Sequence, residues 1–230
     1  MQSCVPNDRQ KVYPVLKQLT SERPILTQID SLLTPAECKY LVRKARSAGF
    51  DCSEIVGRGV DRSLRTSRTA YLPEDDTVVA CIGRRLATVA GMPATSLETL
   101  QATSYARGQR YKSHHDDDEG NTNSKRRLKT VFAYLQATGS LPVGECGGAT
   151  AFYRLRGEGG RRPLRVYPQQ GRALMWNNWE ESGARDLRTL HAGEPVTCDA
   201  EKIGLNAWFV AEEVPTGRDH RAQMVLGESE

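Results

Sequence analysis

The sequence predicts an α+β fold that is mainly β, in which helices precede a barrel or double-sheet jelly roll. Three observations carry this prediction: helix-spaced apolar stripes before residue 91, short apolar segments after residue 97, and turn residues between those segments. Many short strands separated by Gly, Asp and Asn are typical of such β architectures. At 230 residues, with 38% hydrophobic residues, the chain is long enough for one domain with its own core.

Both predicted helices have recognisable ends. Thr34 supplies an N-cap, Pro35 a first-turn proline and Glu37 the third-position acid of a capping box, and this helix stops at Gly49. The second helix is predicted over 77–90 from a single stripe of apolar residues, and a Gly-Met-Pro sequence ends it. The apolar faces of both helices are expected to pack against the core.

Strands are predicted both around and after the helices. The segments with extended-chain propensity and flanking turn residues are 25–30, 65–72, 100–105, 111–115, 130–135, 150–153, 164–167, 173–176, 190–193 and 203–209. Eight of these ten lie beyond residue 97, so the second half of the chain is expected to form most of the β structure.

One domain is predicted over residues 24–212, between a polar N-terminal extension (1–23) and a polar C-terminal tail (213–230). The extension contains one weakly helical stretch at 12–19. The net charge of +4 is mild and basic residues are scattered, so no nucleic-acid partner is expected. No segment approaches the roughly 20 apolar residues of a membrane span, and the first residues lack the apolar run of a signal peptide. We therefore expect a cytoplasmic monomer from the sequence as given, or a protein of the ER and secretory pathway if a leader or anchor has been removed.

The six cysteines lie at irregular intervals and include no Cys-x-x-Cys pair, which argues against a zinc knuckle. Three disulfides would be one arrangement. In a chain of this length, free thiols are the favoured interpretation.

The residues that bear chemistry concentrate in two segments. Three of the four histidines lie in them: His114 and His115 in Tyr-Lys-Ser-His-His-Asp, and His191 in Leu-His-Ala-Gly. On a strand, residues i and i+2 point to the same face, so His114 can share an ion with Asp116; His115 with Asp117 fits the same spacing. A His-x-Asp pair with a distant histidine is the ligand set of the 2-His-1-carboxylate triad, which holds Fe(II) and leaves positions open. A metal-dependent oxygenase is the first hypothesis.

Lys202 adjoins the last predicted strand, eleven residues after His191. A lysine on a core strand implies an anionic companion, because a buried ammonium without a partner is costly. The far carboxylate of a dicarboxylate co-substrate would be such a companion. A surface lysine that extends its ammonium into solvent is the alternative.

A series of motifs follows in a fixed order along residues 24–209. In sequence they are Leu33-Thr-Pro-Ala-Glu37-Cys38, Arg65-Thr66-Ser67, Tyr105-x-x-Gly108-Gln109-x-Tyr111-x-x-His114-x-Asp116, Arg127-x-x-Thr130 with Tyr134-Leu135, Gly147-Gly148-x-Thr150-x-Phe152, Pro168-x-x-Gly171-x-Ala173, His191-Ala-Gly-Glu-Pro195-Val196, Lys202 and Trp208. Each motif alone is weak, but the collinear series resembles the prolyl 4-hydroxylases of the Fe(II)- and 2-oxoglutarate-dependent dioxygenase superfamily.

This resemblance implies a double-stranded β-helix (jelly-roll) core flanked by the N-terminal helices. The implied iron ligands are His114, Asp116 and His191. The implied 2-oxoglutarate site is Lys202 with Tyr105 and Thr150. The implied peptide contacts are Arg65, Ser67, Glu98, Tyr111, Arg127 and Trp208. O2 would be the second co-substrate, with ascorbate as reductant.

The implied function is hydroxylation of a proline-containing peptide or protein to give 4-hydroxyproline, succinate and CO2. The first alternative is the same oxygenase chemistry on a lysyl side chain, a ribosomal protein or a nucleobase. The second is a jelly-roll module that binds metal without catalysis. Three features depart from the family pattern. The spacing from His191 to Lys202 is one residue longer than expected in close relatives, the loop after Asp116 is short and acidic, and Val210 stands where many plant-type members have a histidine.

Overall fold

Twelve strands and two helices make up the part of the chain that the structure, a computed structural model, describes: residues 1–20, 26–55, 59–117, 126–137, 144–157, 160 and 163–211. The helices are α1 (Pro35–Ala48) and α2 (Thr77–Ala90). The strands are β1 (Val15–Gln18), β2 (Leu26–Asp30), β3 (Asp51–Cys52), β4 (Arg68–Tyr71), β5 (Gln101–Tyr105), β6 (Tyr111–His114), β7 (Arg127–Gln136), β8 (Thr150–Phe152), β9 (Leu164–Val166), β10 (Ala173–Asn177), β11 (His191–Gly193) and β12 (Lys202–Val210). The predicted tail over 213–230 lies outside the described residues.

The strands form two antiparallel sheets. The larger has the order β1-β2-β10-β7-β12-β5-β4-β3, and the smaller has the order β6-β11-β8-β9. Aromatic and aliphatic side chains from both sheets share one buried cluster, which includes Phe132 and Trp176 of the large sheet and Phe152 of the small one. The sheets therefore pack face to face, and the mainly β jelly roll that the sequence predicts is confirmed.

The helices cover the outer face of the large sheet. Leu41 of α1 and Ile82 and Leu86 of α2 are fully buried in a second cluster with residues of β7 and β12. Both helices have the predicted ends, because Thr34 and Glu37 form the capping box and α2 stops at Gly91 in the left-handed conformation. No helix among the described residues is both long and apolar enough to cross a membrane.

Strand β12 has one face toward the helices and one face toward the small sheet, because successive side chains of a strand point to opposite sides. One face contributes to the helix-side cluster, and its residues are Ile203, Leu205, Ala207 and Phe209. The opposite face points between the sheets and carries Lys202, Asn206 and Trp208. This single strand thus supports the core on one side and the candidate site on the other.

The weakly helical stretch predicted at 12–19 is wrong. Val15–Gln18 forms strand β1, which pairs antiparallel with β2 at the edge of the large sheet. A short isolated helix is only marginally stable in water, and pairing with β2 overrides the weak helical propensity of this segment.

The preference for free thiols is also wrong for four of the six cysteines. Disulfides join Cys4 to Cys81 and Cys146 to Cys198, while Cys38 and Cys52 are thiols. The partners are 77 and 52 residues apart in sequence, so only the tertiary fold brings each pair within bonding distance.

A buried carboxylate ties the N-terminal residues to both helices. Glu37 accepts hydrogen bonds from the backbone N–H groups of Thr34 (2.8 Å) and Cys4 (2.7 Å), and forms a two-point ion pair with Arg85 (2.7 Å for each bond). Burial opposes ionisation of Glu37, but Arg85 and these N–H donors outweigh it and lower the pKa. The N-terminal segment is therefore held against the domain by the Glu37 carboxylate as well as by the Cys4–Cys81 bond.

Candidate metal and co-substrate site

A cavity of about 840 Å³ lies between the two sheets and collects most of the predicted site residues. The predicted residues that line it are Arg65, Tyr105, Tyr111, His114, Asp116, Arg127, Thr150, His191, Lys202 and Trp208. Ser67 and Glu98 are the two predicted residues that do not line it. The sequence thus locates the wall of one cavity from segments that are far apart along the chain.

The three candidate metal ligands converge because strands β6 and β11 are neighbours. His114 and His191 are direct partners in the antiparallel register, and Asp116 follows the end of β6. The Asp116 Oδ1 atom lies 3.7 Å from His114 Nε2 and 3.6 Å from His191 Nε2. All three ligand atoms lie within 4.8 Å of one another, a spacing that one ion can bridge.

Both imidazoles are oriented by the backbone. His114 Nδ1 lies 2.8 Å from the carbonyl oxygen of Lys112, and His191 Nδ1 lies 2.8 Å from that of Thr189. A carbonyl only accepts, so each Nδ1 carries the proton and each Nε2 presents its lone pair to the centre of the cluster. Burial lowers the pKa of His191 to about 4, which keeps this imidazole neutral near neutral pH.

Hydrogen bonding and nearby groups orient the Asp116 side chain and favour its ionised form. Its Oδ2 accepts a hydrogen bond from the Thr130 hydroxyl (2.6 Å), which leaves Oδ1 facing the histidines. Burial opposes its ionisation, but His191, His114 and the Thr130 bond together lower its pKa. The ring of Tyr111 stacks on His114 at 3.5 Å between centroids and restricts that imidazole further.

The structure also distinguishes the two registers that the sequence leaves open. His114 and Asp116 face His191, whereas the Asp117 carboxylate accepts a hydrogen bond from Trp179 Nε1 (3.0 Å). His115 is outside the ligand cluster. His114 joins the cluster because it is the β6 residue paired with His191, whereas His115 follows the end of the strand.

Lys202 is fully buried, so it is not a solvent-extended lysine. Its ammonium donates to the Gly148 carbonyl (2.7 Å) and lies 5.0 Å from the centre of the Tyr105 ring. No carboxylate of the described residues lies within ion-pair distance of it, and burial lowers its pKa to about 7. A buried ammonium with one carbonyl partner fits an anionic ligand that enters the cavity.

The segment beneath Lys202 is held in place from outside the cavity. Gly147 and Gly148 have positive φ angles of 60° and 68°, and a side chain at Gly147 would collide with the Pro195 carbonyl. The Cys146–Cys198 disulfide and the hydrogen bond from Gly148 N–H to Pro195 O (2.9 Å) fasten the two chain segments together. The carbonyl that binds Lys202 is therefore fixed.

Thr150 is positioned by a residue behind the cavity wall. Tyr134 is fully buried, and its hydroxyl donates to Thr150 Oγ1 (2.8 Å) and lies 3.1 Å from the Val166 carbonyl. The buried Tyr134 thereby holds the Thr150 hydroxyl in place. Together with Tyr105 and Lys202, Thr150 supplies the polar groups at this end of the cavity.

The residues that the resemblance assigns to a peptide form two arginine–aromatic pairs. Arg65 lies over the Tyr111 ring at 4.8 Å, and Arg127 lies over the Trp208 ring at 3.6 Å. Behind the wall, Ser67 accepts from Arg65 Nε (2.9 Å).

Glu98 has the corresponding role for the other pair. Its carboxylate forms a two-point ion pair with Arg127 (2.8 Å for each bond). Ser67 and Glu98 therefore orient the arginines, and the arginines with their aromatic partners form the surface that a peptide would meet.

The lining residues that sequence reasoning missed include Gln101, Phe132 and Asn206. The signal for Asn206 was present, because it lies four residues after Lys202 on the same strand face. Gln101 and Phe132 could not be found in this way, since they depend on which strands flank β12.

Phe132 fits the cavity wall because Gly204 has no side chain. The tip of the Phe132 ring occupies the space that a methyl group at 204 would take, and the Thr103 hydroxyl lies 3.4 Å from that methyl position. The Phe132 ring centre is 5.6 Å from the Lys202 ammonium. The pair Phe132–Gly204 therefore shapes the wall beside the lysine.

Replacing Gly204 with alanine is expected to destabilise the fold by about 1–3 kcal/mol, because the added methyl overpacks the wall. The displaced Phe132 ring would enter the cavity and weaken 2-oxoglutarate binding. Adding Phe132→Leu should recover much of both losses. Urea unfolding measures the stability of Gly204→Ala, Phe132→Leu and the double variant, and calorimetric titration measures their 2-oxoglutarate affinity. If the effects of the two single changes simply added in the double variant, the proposed contact between these residues would be contradicted.

The ligand set and the buried ammonium together fit Fe(II) with a dicarboxylate. Two neutral imidazoles and one carboxylate are the donor set of non-haem Fe(II) oxygenases, which keep open positions for substrates. The lone pairs of the three side chains face one point, and their remaining polar atoms are already bonded to the protein.

Comparisons with known proteins agree with this geometry. The 2OG-Fe(II) oxygenase superfamily profile matches residues 100–210. The chain is 30% identical over 185 residues to probable prolyl 4-hydroxylase 3 of Arabidopsis thaliana, covering 72% of this chain and 62% of that protein. It is 31% identical over 153 residues to prolyl 4-hydroxylase subunit alpha-2 of Gallus gallus, covering 64% of this chain and 26% of that one. The chain thus spans less than two thirds of the length of either relative.

The fold is shared with solved structures. The 2OG complex of the viral collagen prolyl hydroxylase from Paramecium Bursaria Chlorella virus-1 superimposes with a TM-score of 0.63 at 24% identity, covering 81% of this chain and 96% of that one. A Pseudomonas putida prolyl-4-hydroxylase gives 0.57 at 17% identity, covering 81% and 92%. The chain therefore shares the fold of these solved structures, and its sequence is similar to the 2OG-Fe(II) oxygenase superfamily and to the prolyl 4-hydroxylases.

Proposed function

We propose that this protein is an Fe(II)- and 2-oxoglutarate-dependent dioxygenase that hydroxylates peptidyl proline to 4-hydroxyproline. The observation that carries the proposal is the convergence of His114, Asp116 and His191 in one cavity with the buried ammonium of Lys202. When bound, Fe(II) with 2-oxoglutarate and O2 supplies the oxidising chemistry, in which succinate and CO2 are released and one oxygen atom enters the substrate.

The chain holds the metal through three preorganised ligands. His114 and His191 offer Nε2 because their Nδ1–H groups are bonded to carbonyls, and Asp116 offers Oδ1 because Thr130 binds Oδ2. Preorganisation of this kind raises metal affinity and leaves the remaining coordination positions to the substrates.

The co-substrate would be bound by charge at its far end. Lys202 would pair with the carboxylate that is remote from the metal, with hydrogen bonds from Tyr105 and Thr150. Phe152 and Trp176 pack against His191 and exclude water from this side of the site. The carboxylate of the co-substrate would thus compensate the Lys202 ammonium for the hydration that it loses on burial.

The peptide would lie against the two arginine–aromatic pairs. Tyr111 and Trp208 contribute apolar groups to the wall that a proline ring would meet, and Arg65 and Arg127, which lie over these rings, provide donors for backbone carbonyls. This arrangement suits an extended, proline-containing chain. The alternative targets, which are a lysyl side chain, a ribosomal protein or a nucleobase, would be oxidised at the same metal site. They would make different contacts with the two arginine–aromatic pairs.

The test is hydroxylation of a panel of substrates by the purified protein with Fe(II), 2-oxoglutarate, O2 and ascorbate as the assumed reductant. Proline-rich, collagen-like and lysine-containing peptides and an oligonucleotide would be read by mass spectrometry for a gain of one oxygen atom, and succinate would be measured in parallel. We expect oxygen in proline residues and succinate release that requires both Fe(II) and 2-oxoglutarate.

Other outcomes distinguish the alternatives. Oxygen found in a lysine or a base would retain the oxygenase chemistry and overturn the prolyl target. Metal binding without succinate release under any condition would indicate a non-catalytic metal-binding module.

A further inference from the structure

Strand β12 carries one polar side chain in the cavity that none of the roles above uses. Asn206 is half-buried and lies between Lys202 and Trp208 on the same strand face. Its neighbours across the sheet are Gln101 on β5 and Phe132 on β7, which line the same cavity. Asn206 therefore stands between the residues proposed for the co-substrate and those proposed for the peptide.

Hydrogen bonds fix the atoms that Asn206 presents to the cavity. Gln101 Oε1 accepts from Arg65 Nη2 (3.4 Å) and from Asn206 Nδ2 (3.1 Å), while Gln101 Nε2 donates to the Tyr71 hydroxyl (3.2 Å). Because a guanidinium can only donate, the oxygen of Gln101 must face Arg65, and Asn206 must turn its NH2 group to that same oxygen. Asn206 Oδ1 and the second N–H are left without a partner among the described residues.

A second polar atom on this face also has no partner. The indole Nε1–H of Trp208 is buried and makes no hydrogen bond within the described part of the chain, although Trp208 is only 7% exposed. An unpaired buried donor is energetically costly, so a partner for it would be favoured. Asn206 and Trp208 are two residues apart on one strand face, and both residues line the cavity.

We propose that Asn206 binds the main chain of the substrate peptide, with Oδ1 accepting from a backbone N–H and Nδ2 donating to a backbone carbonyl. The inference rests on the peptidyl substrate proposed above. A carboxamide has the same donor and acceptor pair as a peptide unit, and its orientation here is set before the substrate arrives.

This role has a consequence for the choice of peptide. Proline has no backbone N–H, so the bond to Oδ1 must come from a non-proline residue next to the target. Asn206 thereby favours peptides in which proline alternates with other residues over uninterrupted polyproline, which can accept from Nδ2 but cannot donate to Oδ1. Asn206 is a positioning residue, because it acts on the peptide away from the reacting carbon.

The experiment measures the affinity of two peptides of equal length, an alternating Ala-Pro peptide and poly(L-proline), for the protein loaded with Mn(II) and 2-oxoglutarate. Asn206→Ala is expected to weaken binding of the alternating peptide about five- to tenfold, the loss typical of one or two hydrogen bonds, and to weaken polyproline binding less. In turnover assays with Fe(II), the change should appear in the peptide KM rather than in kcat.

Two further variants separate this role from general damage. Asn177→Ala removes an exposed asparagine at the end of β10, outside the cavity, and should leave both affinities unchanged. Gln101→Leu keeps Asn206 but removes its anchor, and should give a smaller loss in the same direction. The thermal melting curve and 2-oxoglutarate affinity of each variant report whether the fold is retained.

Unchanged affinity of Asn206→Ala, or equal weakening for both peptides, would overturn the role of Asn206. If the wild-type protein bound neither peptide while binding Mn(II) and 2-oxoglutarate, the peptidyl substrate itself would be overturned, and this inference with it.

Discussion

Replacing Asp116 with asparagine is expected to lower Fe(II) affinity by more than about 100-fold, because mutating even an outer-shell partner of a metal ligand costs 10–100-fold. Asp116 is the one anionic ligand in the cluster, and its Oδ1 lies within 3.7 Å of both imidazole nitrogens. An amide has the same shape but no charge and a weaker lone pair. Titration with Co(II), followed by its visible absorption, measures the affinity, and succinate release should fall in parallel.

The matched control is Asp117→Asn. Asp117 is the neighbouring carboxylate that receives the Trp179 indole N–H, a bond that an amide oxygen also accepts. This variant should bind Co(II) as the wild type does. If Asp117→Asn lost affinity and Asp116→Asn kept it, the His115-x-Asp117 register would be the correct one. If both variants bound normally, the metal site would not be where we place it.

Replacing Lys202 with methionine is expected to reduce 2-oxoglutarate affinity by roughly 100-fold or more, since breaking a buried ion pair costs about 3–5 kcal/mol. Methionine keeps much of the length and apolar character of the side chain but removes the charge. Calorimetric titration of the Mn(II)-loaded protein measures this change. Mn(II) affinity without 2-oxoglutarate should stay the same, and retained 2-oxoglutarate affinity in Lys202→Met would contradict the proposed anchor.

Proton uptake provides an independent readout for Lys202. Burial lowers its pKa to about 7, so at pH 8 most of the free protein carries a neutral amine. Pairing with a carboxylate would restore the charge, and binding should therefore take up close to one proton at this pH. Calorimetry in two buffers with different ionisation enthalpies detects the uptake, which Lys202→Met should abolish.

The lowered pKa of Lys202 also determines how its contribution to folding stability changes with pH. Because the folded-state pKa of about 7 lies below the ordinary 10.5, the unfolded chain binds more protons between these two values. The contribution of Lys202 to stability is therefore most unfavourable below about pH 7 and is recovered as the pH rises toward 10.5. In the absence of 2-oxoglutarate, Lys202→Met should melt at a higher temperature than the wild type near pH 7.

Local signals allowed much of the fold to be predicted from the sequence. Each helix has its cap and its apolar stripe within one continuous segment, so α1 and α2 were predicted to the residue. Strand positions were also found, but β7 begins at Arg127, three residues before the predicted start. The first residues of that strand include Arg127 and Lys129, whose charges do not indicate a strand in the sequence. In the structure, Arg127 binds Glu98 and Lys129 donates to the Ala90 carbonyl.

Features that depend on distant segments could not be predicted. Strand β1 and both disulfides exist only because the fold supplies their partners. In the site, the resemblance assigned His114 and Asp116 as ligands, but the His-x-Asp spacing alone left His115 with Asp117 open, because it does not show that β11 is a neighbour of β6. The amide pair of Gln101 and Asn206 joins strands about a hundred residues apart, and no pattern within either strand indicates it.

The alternation of side chains along β12 means that the register required for the core is also the register that places Lys202 in the cavity. A slip of one residue would turn Lys202, Asn206 and Trp208 toward the helices and send Phe209 and Leu205 into the cavity. Such a molecule would bury a cation and an amide in hydrocarbon, and so would be too unstable to accumulate. Folded molecules with a misaligned last strand are therefore not expected in a refolded preparation, and the fraction that binds 2-oxoglutarate should equal the folded fraction.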